Sequence, residues 1–348
     1  MKQNIPASIL ITVAVVVLTG LSACSRDDGP TRETRFRLGT AASISIYDES
    51  YPSQTLERAF ERVTEIQNRM SINEANYDNT EILEVNRNAG RAPVPVSDDT
   101  AQVVREGIRW AEITNGAFDI SIAPLITLWG IGTPEERVPT PEEIESRVSL
   151  VAYDEIDVSD EPGIYLPRDG MAIDVGGIAK GYAVDEAARV LREAGVNHAL
   201  VDFGGDIFAL GTRVDGNPWR IGVQHPSSNR QELLAVIELV DQAVVSSGDY
   251  ERFFERNGIR YHHIIDPETG TPSRSGLTSV TVIGPDAMGA DALSTGVFVL
   301  GLEEGMALVE TLPDYEAVIA TSDRRIHVSS GMQGEVELRA SDHELADQ

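Results

Sequence analysis

The segment Asp174-Val-Gly-Gly-Ile-Ala-Lys-Gly-Tyr-Ala-Val-Asp185 constrains this chain more than any other. An apolar run from Met171 to Val175 enters a Gly-Gly turn, and the pattern from Lys180 to Ala194 is helical and stops at Gly195. A strand must end there, turn tightly and feed a helix start. Gly176 and Gly177 allow backbone to approach a ligand closely, and the helix N-terminus beyond them offers N–H groups to an anion. Lys180 adds a positive charge at phosphate range. The spacing is neither the dinucleotide fingerprint G-x-G-x-x-G nor a P-loop. Gly-Gly turns between strands and helices are also ordinary connections, so this segment alone decides nothing.

A second segment, Ala290-Asp-Ala-Leu-Ser-Thr295, carries oxygen ligands. Asp291 and Thr295 are four apart, which on a helix places them on one face, one turn from each other. A carboxylate and a hydroxyl beside a backbone carbonyl make an oxygen-only set, which suits Mg²⁺ better than Zn²⁺. The plainer reading is an acidic residue favouring a helix N-terminus. A third segment, His262-His-Ile-Ile-Asp-Pro-Glu-Thr-Gly270, puts two histidines on opposite sides of an expected strand. One would be packed in the core. The other, His263, would sit at the strand end, where a neutral imidazole can take a proton. Ser246-Ser-Gly-Asp-Tyr250 reads as a turn, and Gly116-Ala-Phe-Asp119 places a carboxylate just past a helix end. Trp110, Trp129 and Trp219 read as core residues. Together the three main segments suit a metal-bound pyrophosphate whose phosphorus is to be attacked.

The periodicities predict an α+β protein. Helices are expected over Thr55 to Met70, Asp98 to Asn115, near Pro141 to Leu150, over Lys180 to Ala194, Ala287 to Leu300 and Glu303 to Leu312. Strands are expected at Phe36 to Tyr47, Met171 to Val175, His198 to Phe203, Trp219 to Gln224, Leu234 to Val240, Arg260 to Ile265, Leu277 to Ile283, Ala317 to Ala320 and Arg325 to Val328. Asp286 is the expected cap of the helix that carries Asp291.

The first residues read as a targeting segment. Ile9 to Leu18 is an apolar run too short for a typical membrane span, and it leads into Leu21-Ser-Ala-Cys24. That pattern predicts cleavage after residue 23 and lipidation of Cys24, the single cysteine of the chain. The expected organisation is a signal peptide over 1–23, a flexible tether over 24–35, one catalytic unit over 36–330 and a polar, fraying tail over 331–348. The mature protein would be exported and lipid-anchored to a bacterial membrane, facing the periplasm. Acidic residues outnumber basic ones 56 to 28, for a formal charge of −28, which argues against nucleic acid as a partner. An anionic substrate would need locally placed cations.

Taken jointly, the chain resembles the ApbE family, the FAD:protein FMN transferases once described as thiamine-biosynthesis lipoproteins. The resemblance rests on Gly116-Ala-Phe-Asp119, Asp174 to Tyr182, Val201-Asp-Phe-Gly-Gly-Asp206, Ser246 to Tyr250, His263-Ile-Ile-Asp-Pro267 and Ala290 to Thr295, in that order. It runs from Gly39-Thr40 to about Val328. It implies mixed sheets with flanking helices and a flavin site between subdomains. It also implies that FAD is the substrate, with Mg²⁺ on its pyrophosphate. FMN would pass to a threonine, or sometimes a serine, of a target protein, and AMP would leave. The metal would be held by Asp291, Thr295 and the backbone carbonyl of Gly177. FAD would contact Leu38, the region near Asn73, Asp119, Lys180, His263 and Ile264. The family carries methionine where Leu38 stands, and Ser71 to Thr80 is longer than its usual loop. Targets of the family include subunits of membrane redox pumps and other exported flavoproteins.

On this reading Mg²⁺ and Lys180 spread the charge of the diphosphate. His263 is the candidate base, with Asp174 or Asp206 as orienting partners. Two alternatives use the same residues: a Mg²⁺-dependent FAD pyrophosphatase, with water as nucleophile, and a flavin-binding lipoprotein without turnover. An iron–sulfur role fails on the cysteine count.

Overall fold

The computed structural model describes residues 29–72, 78–158, 163–226 and 232–346. Residues 1–23, Cys24 and Asn73 lie outside them. The helices are α1 (Thr55–Met70), α2 (Glu81–Arg87), α3 (Asp98–Ile113), α4 (Ala123–Trp129), α5 (Pro141–Val148), α6 (Ala179–Glu193), α7 (Ala287–Leu300) and α8 (Leu302–Val309). The central sheet has nine strands, in the order Thr31–Arg37, Thr40–Ile46, His198–Phe203, Asp206–Gly211, Gln242–Gly248, Leu277–Gly284, Glu316–Thr321, Arg325–Val328 and Glu344–Leu345. Its pairs are antiparallel except the last, where Arg325–Val328 and Glu344–Leu345 run parallel. The fold is α+β, as expected.

Both faces of this sheet are covered, and alternate residues of one strand show it. Ala243 and Val245 pack into the main core with α6 and α7 residues, whereas Val244 between them packs with Trp219, Ile221 and Leu234. The second layer is a three-stranded sheet ordered Glu337–Leu338, Leu233–Leu239, Trp219–Gln224. Helices therefore cover one face and a small sheet the other. The three tryptophans are core: Trp110 is 1%, Trp129 2% and Trp219 5% exposed.

Several expectations need correction. The strand anticipated from Phe36 is a hairpin that begins at Thr31, inside the presumed tether. Its register, Arg37 opposite Thr40, leaves a two-residue turn at Leu38-Gly39, with φ of +51° and +73°. The matching turn Gly204-Gly205, at +67° and +102°, folds His198–Phe203 back onto Asp206–Gly211, a strand that sequence reading missed. Such left-handed pairs match the natural twist of hairpins. Met171 to Val175 does not form a strand. The Asn86 side chain of α2 takes the place of a neighbour: its amide donates to the Ile173 carbonyl (2.9 Å), and the Ile173 N–H donates to its oxygen (2.7 Å). Ser246 and Ser247 lie on the strand Gln242–Gly248 and not in a turn. The expected strand at Arg260 to Ile265 spans Ile259–His262, so His263 falls beyond its end. Past Gly331 the chain still forms the short strands Glu337–Leu338 and Glu344–Leu345.

Candidate active site

The site is built where the N-terminal ends of α6 and α7 cross. Gly181 in α6 meets the start of α7 so closely that a Cβ there would sit 2.2 Å from the Ala287 carbonyl oxygen. The two helices cap each other. Asp185 of α6 accepts from the Ala287 and Met288 N–H groups at the start of α7 (2.7 and 2.9 Å). Asp291 of α7 accepts through Oδ2 from the Gly181 N–H near the start of α6 (3.1 Å). Asp286 caps α7 as expected, accepting from Gly289 N–H (2.6 Å). Sequence reading assigned no role to Asp185, because this reciprocal contact joins residues about a hundred positions apart.

We expect Gly181→Ala to lower stability by about 1–3 kcal/mol in denaturant titration, since backbone on both helices must move. Alanine's better helix propensity, about 1 kcal/mol, opposes this only in part. An unchanged unfolding midpoint would show that the crossing is looser than described.

Asp291 and Thr295 do share one face of α7. Thr295 Oγ1 lies 3.2 Å from Ser247 Oγ, and Ser247 in turn lies 2.8 Å from Ser294 Oγ. Gly177 is beside them: a Cβ there would meet Phe118 at 3.2 Å and Thr295 Oγ1 at 3.9 Å. The glycine bend, the carboxylate and the hydroxyl are thus brought together. Across from them Lys180 Nζ lies 2.9 Å from Asp206 Oδ1, and Asp206 is 1% exposed. Asp206 Oδ2 has no hydrogen-bond partner among the described residues. Burial pushes the Asp206 carboxyl up, with Asp291 adding to this and Lys180 opposing it. Burial raises Asp291 also, again against Lys180. Burial pulls the Lys180 ammonium down, but Asp206 and Asp291 outweigh it and its pKa lies above the ordinary value.

The histidines divide as expected. His262 is 4% exposed, and its Nε2 lies 2.9 Å from the Ser273 carbonyl. Burial pushes its pKa down to about 4. His263 is half-buried, and burial, with Arg252 adding, holds it well below its usual range. Its Nδ1 lies 3.3 Å from the Arg252 carbonyl. A carbonyl only accepts, so this contact places the proton on Nδ1 and leaves the lone pair on Nε2. Neither Asp174 nor Asp206 orients this ring, contrary to expectation. Asp174 instead accepts from the Gly176 N–H (2.7 Å) and fixes the glycine turn. Arg252, which sequence reading passed over, acts electrostatically on Asp174, Lys180 and His263.

Asp119 follows α3 and is 7% exposed. It accepts from the Ser121 N–H (2.7 Å) and hydroxyl (2.6 Å), and burial pushes its carboxyl up to about 6 against these bonds. Leu38 donates its N–H to the Gln67 side chain of α1. Its turn borders the Gly204 turn, where a Cβ would strike Thr40 Oγ1 at 2.1 Å. Ile264 buries its side chain in the main core, and its carbonyl accepts from Ser273 N–H (3.0 Å).

This donor set fits a hard divalent cation. Asp291 uses only one oxygen on Gly181, Thr295 offers a hydroxyl next to the Gly177 bend, and Asp206 keeps a buried oxygen without a donor. The lysine beside them supplies the positive charge that an acidic chain otherwise lacks.

An FAD:protein FMN transferase of Treponema pallidum is 33% identical over 345 residues, covering 94% of this chain and 95% of that protein. One from Vibrio cholerae is 36% identical over 310 residues, covering 86% and 90%. The crystal structure of the ApbE protein of Thermotoga maritima superposes with a TM-score of 0.81 at 33% identity, covering 88% of this chain and 99% of that one. The flavin transferase ApbE of V. cholerae superposes at 0.78 with 31% identity and the same coverage. The sequence model of the ApbE family matches residues 38–319, a stretch that holds the glycine turn, the reciprocally capped helices and the lysine–aspartate pair. This chain belongs to the ApbE family.

Proposed function

We propose that this protein transfers FMN from FAD to a threonine or serine hydroxyl of another protein, with AMP as leaving group. The observation that carries the reading is the convergence of Gly177, Asp291 and Thr295 beside the Lys180–Asp206 pair and a neutral His263. The names of the relatives supply the substrate and the product.

Asp291, Thr295 and the Gly177 carbonyl would hold Mg²⁺, which when bound neutralises the diphosphate and polarises its phosphorus. Lys180 adds a fixed positive charge that acts in a half-buried cleft, where it is screened less than at the surface. The α6 N-terminus presents N–H groups toward the same place. His263 Nε2 takes the proton of the acceptor hydroxyl as its oxygen bonds to the FMN phosphorus. The bond from that phosphorus to the AMP oxygen breaks, and AMP leaves with the electron pair. Asp119, Leu38 and the His263–Ile264 backbone would line the flavin nucleotide.

His263→Ala is expected to bind FAD but transfer on the order of 10² more slowly. A full-rate variant would remove His263 as the base. The proposal as a whole is tested by incubating a threonine-bearing acceptor domain with the protein, FAD and Mg²⁺, then weighing it by mass spectrometry. FMN joined to the acceptor supports transfer. Free FMN with unmodified acceptor would make the protein a pyrophosphatase, and unconsumed FAD would make it a binding protein only.

The same reading includes export and an acyl anchor at Cys24, which would hold the enzyme among exported flavoproteins such as membrane redox-pump subunits. Cys24→Ser is the check: the protein should shift from the membrane fraction to the soluble one.

A further inference from the structure

His225, Asp342 and His343 meet outside the flavin site. His225 directly follows the strand Trp219–Gln224 of the small sheet, and its N–H donates to the Glu232 carbonyl (3.0 Å). Asp342 and His343 immediately precede the edge strand Glu344–Leu345. Although 117 residues separate His225 from Asp342, its Nε2 lies 3.0 Å from Asp342 Oδ1. His343 Nδ1 lies 3.1 Å from the same oxygen. One donor atom from each of the three residues falls within 4.8 Å of the other two. The rings stand edge to face, centroids 4.9 Å apart and planes at 89°. Both imidazoles are buried, at 5% and 7% exposure, while the Asp342 side chain is exposed. Arg324 approaches the other Asp342 oxygen at 3.9 Å.

We propose that these three side chains form a second metal site, for Zn²⁺ or a similar divalent transition ion, which fastens the C-terminal segment to the body of the protein. Two imidazoles and one carboxylate are a nitrogen-rich set that selects Zn²⁺ over the Mg²⁺ of an oxygen-only site. Bonds of about 2.0–2.1 Å to a tetrahedral ion place neighbouring donors about 3.3 Å apart. Asp342 Oδ1 stands 3.0 and 3.1 Å from the two ring nitrogens and needs only slight widening to admit the ion, while the two nitrogens lie within 4.8 Å of each other and would close on it. The exposed side of Asp342 leaves a fourth position to water. The segment it would secure is held by short pairings, by backbone bonds from Arg339 and Ala340 to the Leu234 carbonyl and from Ala346 to the Ile326 carbonyl, and by the Arg220–Glu337 ion pair. Glu337–Leu338 and Glu344–Leu345 are two-residue strands, paired with Ala235–Val236 of the small sheet and with Arg325–Ile326 of the central one. An ion between His225 and His343 would tie the small sheet to that edge.

The test uses the tag-free full chain, stripped with EDTA, re-equilibrated with micromolar Zn²⁺, desalted and assayed for metal by mass spectrometry. One zinc per chain is expected, with a raised Tm and slower proteolysis of the C-terminal segment. His225→Ala and His343→Ala should each weaken zinc binding at least about tenfold. Circular dichroism and cooperative unfolding check that the variants fold. Should the histidine variants misfold, Asp342→Asn, at an exposed position, decides with the same expected loss. Trace zinc in the wild type, or equal zinc in all variants, overturns the proposal and leaves two imidazole–carboxylate hydrogen bonds.

Discussion

Asp291→Ala should slow FMN transfer on the order of 10³-fold and leave the protein folded. The carboxylate stands on the α7 face that carries Thr295 beside the Gly177 bend, and it accepts one hydrogen bond, from Gly181 N–H. Losing that bond costs about 1 kcal/mol, as for other helix caps. Removing a buried carboxylate also relieves its desolvation, which raises its pKa in the native protein. The two effects offset, so stability changes little while a Mg²⁺ held there would lose its charged ligand. Asp291→Asn sharpens the comparison: it keeps an acceptor for Gly181 and removes the charge. Equal Mg²⁺-dependent transfer rates in wild type and Asp291→Asn would reject the metal assignment.

Lys180→Met should be equally damaging to transfer, on the order of 10³-fold, and it should also destabilise the fold. It leaves Asp206, at 1% exposure, without its cation. Breaking a buried pair from one side costs about 3–5 kcal/mol when the remaining group stays charged. Asp206 has an escape, because burial already raises its pKa and loss of Lys180 raises it further. A carboxyl whose folded pKa exceeds its unfolded value contributes stability below the unfolded pKa and loses it as pH rises through the folded one. Because Asp206 is already pushed up to about 8 beside Lys180, variant and wild type should lose stability in parallel from about pH 4 to about pH 8, and the variant should fall further behind only above that, by at most about 1.4 kcal/mol per pH unit. Lys180→Met combined with Asp206→Asn should recover stability and flatten the pH profile without recovering transfer. Failure of the double variant to regain stability would show that the pair is not the source of the loss.

These residues were unequally legible in the sequence. Asp291 and Thr295 were placed on one helix face by spacing alone, because α7 opens at a strong Asp286 cap and closes at Gly301. The helices α1 and α7 have the expected bounds for the same kind of local reason. What escaped was non-local. Gly204-Gly205 is a hairpin turn, visible only once Asp206–Gly211 pairs with His198–Phe203. Met171 to Val175 has a strand's composition, but the backbone bonds of its central Ile173 go to the Asn86 side chain, which no periodicity reports. Asp185 and Asp291 cap each other's helices only because Gly181 lets those helices touch. The orienting role expected of Asp174 or Asp206 failed for a similar reason. Both carboxylates already have partners, the Gly176 N–H and Lys180, and the imidazole turns to the Arg252 carbonyl.

In the proposed reaction, oxygen atoms from the α7 face and the Gly177 bend hold Mg²⁺ against the diphosphate of bound FAD. Titration of FAD into the purified protein, followed by flavin fluorescence with Mg²⁺ or with EDTA, tests it most directly. One FAD per chain should bind saturably, more tightly when Mg²⁺ is present, and this dependence should vanish in Asp291→Ala. FAD ignored under both conditions, or bound identically in both by wild type and variant, would contradict it.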